Sequence, residues 1–139
     1  MITFTYKTDF SLPSESLHTE WISQVIQEEN CDVGDIEFVF CNDSYLHTIN
    51  LEYLNHDTLT DIITFDYRVG DLIMGEIFIS IDRVRENASE FNVSFDDELH
   101  RVMVHGILHI LGYNDLNHEQ ELAMRSKEDW ALSLRNFLI

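Results

Sequence analysis

The sequence predicts an α+β fold, with a small mixed four-stranded sheet packed against about five helices. Short stretches of β-prone residues occur at four places, and longer stretches with helical spacing of apolar residues occur at five. The chain has 139 residues, which suits one domain with its own core. We therefore expect residues 1–139 to form a single domain.

The four strands are expected where β-branched and aromatic residues cluster between turn-forming residues. They are predicted at 2–6, 36–40, 61–65 and 72–79. The turn-forming residues Asp32, Gly34 and Asp35 are expected to precede the second strand. Because 68–70 offers a short connection, the last two strands are predicted to form an antiparallel hairpin.

The five helices are expected where apolar residues recur every three or four positions. They are predicted at about 14–26, 42–53, 82–91, 94–111 and 118–134. Ser14 and the segment 42–44 are plausible N-caps, and Asp82 and Ser94 are expected to open the third and fourth helices.

The composition limits the classes of function. The chain has 26 acidic and 8 basic residues, a balance that works against a simple nucleic-acid-binding protein. A local basic groove remains compatible with that sum, since Arg101, Arg125 and Lys127 all lie within about twenty-five residues of His105 and His109. We find neither a signal-peptide pattern nor an apolar run of membrane-spanning length, and we expect a cytoplasmic monomer. Cys31 and Cys41 are expected to be reduced core thiols.

The segment from His105 to Asp115 carries the strongest signal of function. Two histidines four positions apart on a helix share one face, so His105 and His109 can reach one cation. Gly112 can end the helix with a positive φ, and the following turn can bring Asp115 to the same cation. Three protein ligands leave a fourth position for water, as in catalytic zinc sites. The alternative is that both histidines are ordinary helix residues.

The segment 104–115 resembles the signature of the YbeY family, bacterial metal-dependent endoribonucleases linked to ribosomal RNA maturation. Segments 60–65 and 75–80 resemble two strand motifs of that family, and Met124-Arg125 with Glu128 resembles its closing helix. The resemblance implies a zinc-dependent, single-strand-directed endoribonuclease. It would act on the ribosome in 3′-end maturation of 16S rRNA, ribosome biogenesis and quality control.

Two departures from the family pattern concern the site. The family's third zinc-binding histidine aligns with Asp115, and His118 is the alternative third ligand. Asp115 is preferred because it keeps the spacing and because carboxylates bind zinc well. Leu54 occupies the place of a family arginine thought to serve activity, so the positive charge would have to come from Arg101 or Arg125.

The candidate catalytic residues lie outside the segment from His105 to Asp115. Asp61 is the candidate general base and Arg101 the candidate phosphate-binding residue, with His56 and Glu119 as weaker options for the base. The alternative for Asp61 is a strand-end residue hydrogen-bonded to backbone. Gly106 stands where zinc peptidases of the His-Glu-x-x-His type have their base, and we expect it to serve close helix packing instead.

Two other functions compete with the nuclease. One is a peptidase or another zinc hydrolase, which Gly106 weakens. The other is a ribosome-associated binding module in which zinc braces the fold, which the acidic composition and Leu54 favour.

Overall fold

The computed structural model describes residues 1–55 and 60–137. Its strands are β1 (Ile2–Tyr6), β2 (Asp32–Cys41), β3 (Ile62–Asp66) and β4 (Leu72–Ser80). Its helices are α1 (Glu15–Glu28), α2 (Asp43–Leu54), α3 (Ile81–Phe91), α4 (Phe95–Ile110) and α5 (His118–Ser133). The predicted α+β class is confirmed, with every predicted helix and strand present in the described part of the chain.

The four strands form one mixed sheet in the order β1-β2-β4-β3. β1 and β4 run parallel to β2 on either side of it. β3 pairs antiparallel with β4, which confirms the predicted hairpin. β3 is consequently an edge strand, and its outer side is available to border a cleft.

Both faces of the sheet are packed, but unequally. The larger core joins the sheet to α1, α4 and α5 and contains Trp21, Phe38 and Phe40. A smaller cluster of Cys41, Leu46, Ile49 and Ile63 joins α2 to the opposite face. α4 is therefore the central helix, since it lies between the sheet and the helices α3 and α5. Its residues Val104, Ile107 and Leu108 are fully buried.

Gly106 explains why α4 can approach the sheet closely. A Cβ atom at this position would lie 3.0 Å from two side-chain carbons of Ile77 and 3.1 Å from Cδ1 of Ile62. The glycine thus allows close packing between α4 and strands β3 and β4, as expected from the sequence.

The prediction for the start of β2 was wrong. Asp32, Gly34 and Asp35 belong to the strand rather than to a preceding turn. The pairing with β4 shifts register between Val33 and Ile36, which marks a β-bulge. A Cβ at Gly34 would lie 2.9 Å from the carbonyl oxygen of Ile73, so the glycine permits close contact between neighbouring strands. Residue types that usually form turns therefore also occur in this irregular part of a strand.

Two helix starts also differ from expectation. Ser14 precedes α1 with φ of 56°, and its side chain makes no capping hydrogen bond. α3 begins at Ile81 and is capped by Ser80, whose hydroxyl accepts a 3.3 Å hydrogen bond from the amide of Arg83. Asn42 caps α2 as expected, accepting from the amide of Tyr45 at 2.8 Å.

Cys31 immediately precedes β2 and Cys41 is its last residue, and both are buried. Burial raises the pKa of the Cys41 thiol to about 12. No helix in the described ranges is both long and apolar enough to span a bilayer.

Candidate metal centre

Local sequence explains how α4 ends and where the chain goes next. The hydroxyl of Ser94 accepts a hydrogen bond from the amide of Asp97 at the helix start. At the other end Gly112 adopts φ of 109°, and the amide of Tyr113 donates to the carbonyl of Leu108 at 3.0 Å. This is the left-handed termination that glycine favours. It turns the chain back so that residues 113–117 pass beside the last turns of the helix.

The turn brings three candidate ligands together. Nε2 of His105 lies 3.0 Å from Nε2 of His109. Oδ2 of Asp115 lies 3.4 Å from the first of these nitrogens and 3.5 Å from the second. Among the described residues, these three form the cluster of histidine, cysteine or carboxylate side chains whose ligand atoms lie within 4.8 Å of one another. Two imidazoles and a carboxylate are a donor set that suits a divalent transition metal.

Glu128 of α5 orients the first histidine. Its Oε2 lies 2.6 Å from Nδ1 of His105, although only 7% of the Glu128 side chain is exposed. A carboxylate that accepts from Nδ1 keeps the proton there, so that Nε2 presents its lone pair to the other two ligands. Arg101 in turn donates to Oε1 of Glu128 at 3.0 Å and to Asp129 at 2.7 Å.

The electrostatics of the two imidazoles differ. Burial lowers the pKa of His105, but the hydrogen bond and negative charge of Glu128 outweigh it, so the pKa is raised overall. Burial and the neighbouring His105 lower the pKa of His109 below its usual value. His109 is therefore neutral at pH 7, which is the form that binds a metal.

A cleft of about 630 Å³ opens over the three candidate ligands. The outer side of β3, the end of α2 and the turn after α4 border it, and its lining includes Asn50, Leu54, Thr64, Asp66 and Asn114. The cleft is large enough for a segment of an extended polymer. Leu54 does line it, so this position offers an apolar side chain where the family resemblance implies an arginine.

A second cavity of about 360 Å³ lies on the other side of His105. Asp61, His105 and Asp115 line both cavities. Burial raises the pKa of Asp61. The Asp61 side chain accepts a weak 3.4 Å hydrogen bond from Asn87, while its carbonyl accepts from the amide of Ser80 at 3.0 Å. Both of the sequence-based interpretations of Asp61, a cleft carboxylate and a strand-end residue, thus describe part of its surroundings.

Among the described residues, the remaining candidates from the sequence do not belong to the cluster of His105, His109 and Asp115. His118 is exposed at the first residue of α5 and does not belong to the ligand cluster, and Glu119 is exposed beside it. His56 lies outside the described residues. Arg101 lines the second cavity but is 19% exposed and committed to two carboxylates. Arg125 lines the same cavity with 62% of its side chain exposed.

Glu128 was noted in the sequence only as part of a family motif, and its role beside His105 was not foreseen. A signal did exist, because Met124, Glu128 and Ala131 are spaced as one buried helix face. A glutamate at a core position needs a partner, and this one has both His105 and Arg101.

Comparison with known proteins identifies the family to which the chain belongs. The model of the family described as endoribonuclease YbeY matches residues 3–135. The chain belongs to the YbeY family. An endoribonuclease YbeY of Flavobacterium johnsoniae is 55% identical over 134 residues, covering 96% of each chain. One from Christiangramia forsetii is 50% identical, covering 96% of this chain and 93% of the relative.

A solved YbeY-like structure supports the same fold. The solution structure of TM1509 from Thermotoga maritima superposes with a TM-score of 0.69 at 27% sequence identity. It covers 96% of this chain and 88% of the other.

Proposed function

We propose that this YbeY-family endoribonuclease is zinc-dependent and cleaves single-stranded ribosomal RNA in the cleft between β3 and α4. The observation that carries the proposal is the convergence of His105, His109 and Asp115 at the floor of a cleft bordered by an edge strand. The ligands come from one helix and the turn that its terminal glycine permits, so the site is built on a rigid element.

The donor set fits zinc. Two imidazole nitrogens and one carboxylate oxygen are a recurring ligand set of catalytic zinc, and Glu128 supplies the carboxylate that such a histidine ligand usually has behind it. When bound, the ion supplies a Lewis acid for the phosphoryl oxygens and activates a water molecule as nucleophile. We assign His105, His109 and Asp115 as its ligands, with His118 as the alternative to Asp115.

The protein's own groups supply proton transfer and positioning. Asp61 borders both cavities beside His105, and a carboxyl whose pKa is raised by burial is a stronger base when it is ionised. We assign Asp61 as the general base that accepts a proton from the attacking water. Glu128 holds the imidazole of His105 in one orientation, and Arg101 holds Glu128. Arg125 is the exposed cation best placed to approach a phosphate, which replaces our sequence-based choice of Arg101.

A binding module with a structural zinc is the second candidate. Three aspartates, Asp61, Asp66 and Asp115, line the principal cleft, and negative charge there opposes the approach of RNA phosphates. A peptidase has less support, because Gly106 packs against Ile77 and leaves no room for the glutamate base of that class.

The test uses protein that has been stripped of metal and reloaded with zinc, incubated with single-stranded RNA and separately with casein. We expect zinc-dependent cleavage of RNA that is lost in His109→Ala and kept in His118→Ala. If RNA and casein both stay intact while removal of zinc lowers the melting temperature, the binding module is correct. Digestion of casein alone would support the peptidase.

We further propose that the substrate is 16S rRNA near its 3′ end, in the context of ribosome biogenesis and quality control, and that the enzyme acts in the cytoplasm as a monomer. Membership of the YbeY family supports the substrate. Sedimentation of the purified protein tests the monomer, and mapping of cleavage ends on 16S rRNA tests the substrate.

A further inference from the structure

A further cleft lies on the opposite side of α2 from the metal centre, and residues of different types line it. It has a volume of about 490 Å³ and lies between α2 and the face of β3 and β4 that α2 only partly covers. Five aromatic side chains line it: Tyr45, Tyr53, Phe65, Tyr67 and Phe78. We call it the aromatic cleft.

The three tyrosines of this cleft are open to solvent, and its two phenylalanines are half-buried. Tyr45, Tyr53 and Tyr67 are 37%, 68% and 51% exposed. The rings of Tyr53 and Phe65 meet edge to face with centroids 5.9 Å apart, and Phe65 meets Phe78 in the same way at 5.7 Å. The three rings therefore contact one another and form a surface on which a flat ring can stack.

The charged groups of the cleft are two carboxylates, which are hydrogen-bond acceptors. The carboxylates of Glu52 and Glu76 line it, and Oε1 of Glu76 accepts from the hydroxyl of Tyr67 at 2.9 Å. Two carboxylates repel a phosphate group but accept hydrogen bonds from ring and amino N–H groups. Among the RNA bases, guanine presents two adjacent N–H donors on one edge, which match a carboxylate in a bidentate arrangement.

The aromatic cleft shares its walls with the metal-centre cleft. On α2, Ile49 and Tyr53 face the aromatic cleft, while Asn50 and Leu54 face the metal centre. On β3, Phe65 lines the aromatic cleft, whereas Thr64 lines the other. A strand that crosses the junction of α2 and β3 can therefore enter both.

We propose that the aromatic cleft binds an unpaired guanine base of the RNA strand whose scissile phosphate lies at the metal centre. The proposal rests on the proposed nuclease function. Base stacking supplies affinity that phosphate contacts cannot supply in a protein with a net charge of −18. Tyr53 and Phe65 provide the stacking surface, and Glu52 provides the acceptor that selects guanine.

Binding is tested without cleavage, using metal-free protein and fluorescein-labelled oligouridylates that carry one central guanosine, one adenosine or neither. We expect the guanosine strand to bind most tightly. Tyr53→Ala should weaken its binding about tenfold, in line with the loss of one stacking contact. Glu52→Gln should remove the preference for guanosine over adenosine. Leu51→Ala is the matched control, because Leu51 is an exposed α2 residue that does not line the cleft.

Equal binding of the three strands, or a guanosine preference that survives in Tyr53→Ala, overturns the proposal. Tight binding of an arginine-rich peptide that displaces no RNA also overturns the proposal. That result would make the cleft a site for a basic protein. Cleavage mapping with zinc-loaded protein separates the two proposals. If the cutting positions keep no fixed distance from guanosine, only this inference is overturned. If no cutting occurs while the binding preference for guanosine persists, only the proposed nuclease function is overturned.

Discussion

The carboxylate of Glu128 lies 2.6 Å from Nδ1 of His105 and joins α5 to the ligand-bearing helix α4. The same carboxylate accepts from Arg101, so a chain of three side chains with the buried Glu128 at its middle runs to the candidate metal centre. The position of the candidate ligand thus depends on packing between two helices and not on α4 alone.

Replacing Glu128 should therefore weaken metal binding. We expect Glu128→Ala to lower zinc affinity about 10- to 100-fold, because the imidazole of His105 loses its orienting acceptor. Competition with a zinc-binding dye measures the affinity. Asp129→Asn is the control, since Asp129 also pairs with Arg101 but does not contact the histidine. Equal affinity in Glu128→Ala and wild type would contradict the prediction.

The identity of the third ligand can be tested by metal content. Asp115→Ala should reduce bound zinc to well below one per chain after dialysis, because two imidazoles alone hold the ion weakly. His118→Ala should keep one zinc, since that side chain is exposed on the first turn of α5. Atomic absorption of dialysed samples measures the stoichiometry, and the opposite pattern would assign the ligand to His118.

The two arginines near the metal centre should differ in their effect on RNA binding. Arg125→Gln should weaken binding of all single strands and reduce the dependence of log Kd on log salt by about 0.7, the value for one lost phosphate contact. Arg101→Gln should leave that slope unchanged and lower the free energy of unfolding by about 1.5–3 kcal/mol, because Glu128 loses a charged partner. Salt titrations of RNA binding and urea unfolding measure the two effects.

A buried histidine pair should make the protein sensitive to acid. Nε2 of His18 lies 3.0 Å from Nε2 of His100, whose Nδ1 is 2.8 Å from a guanidinium nitrogen of Arg135. Burial, then the two neighbouring groups, lower the pKa of His100 to about 3. The unfolded chain thus binds this proton at a higher pH than the folded chain. Stability is therefore complete above the unfolded pKa of about 6.5 and falls as the pH drops below it.

We expect protonation of His100 in the unfolded chain to lower the free energy of unfolding by about 2 kcal/mol between pH 7.5 and pH 5. Urea unfolding at several pH values measures it. His100→Gln should be less stable at pH 7.5 but should show a flatter pH curve, whereas His118→Gln should keep the wild-type slope. Parallel curves for wild type and His100→Gln would mean that the pair does not control acid stability.

Enlarging Gly106 should disturb the contact between α4 and the sheet. Gly106→Val should lower the free energy of unfolding by about 1–3 kcal/mol, because its side chain would overlap Ile77 and Ile62 in a packed core. Zinc affinity should fall as well, since His105 is the adjacent residue. Ala123→Val, at an exposed position on α5, controls for the lower helix propensity of valine. Thermal unfolding and dye competition provide the two measurements.

The features that the sequence predicted well are those with local causes. Ser94 and Gly112 mark the two ends of α4 by capping chemistry that acts within a few residues, so the ligand-bearing helix and its turn were predicted closely. The β3–β4 hairpin followed in the same way from its short connection.

The features that the sequence did not predict depend on contacts between distant segments. Glu128 reaches His105 only because α5 packs against α4, and the helical spacing around residue 128 marks a buried position without identifying its partner. Arg101 was assigned to phosphate because its ion pairs with Glu128 and Asp129 were not foreseen. Gly34 and Asp35 have the residue types of a turn, and they lie within a strand because β2 pairs with β4 on both sides of the irregularity that they form.

Burial of Cys31 and Cys41 at the two ends of β2 has a practical consequence. A strand of ten residues spans about 33 Å, far beyond the roughly 7 Å that a disulfide allows between Cα atoms. An oxidising buffer therefore cannot crosslink the folded chain to itself. Cys41 is 0% exposed and becomes accessible to alkylating reagents only when the sheet opens, so its labelling rate reports the rate of unfolding.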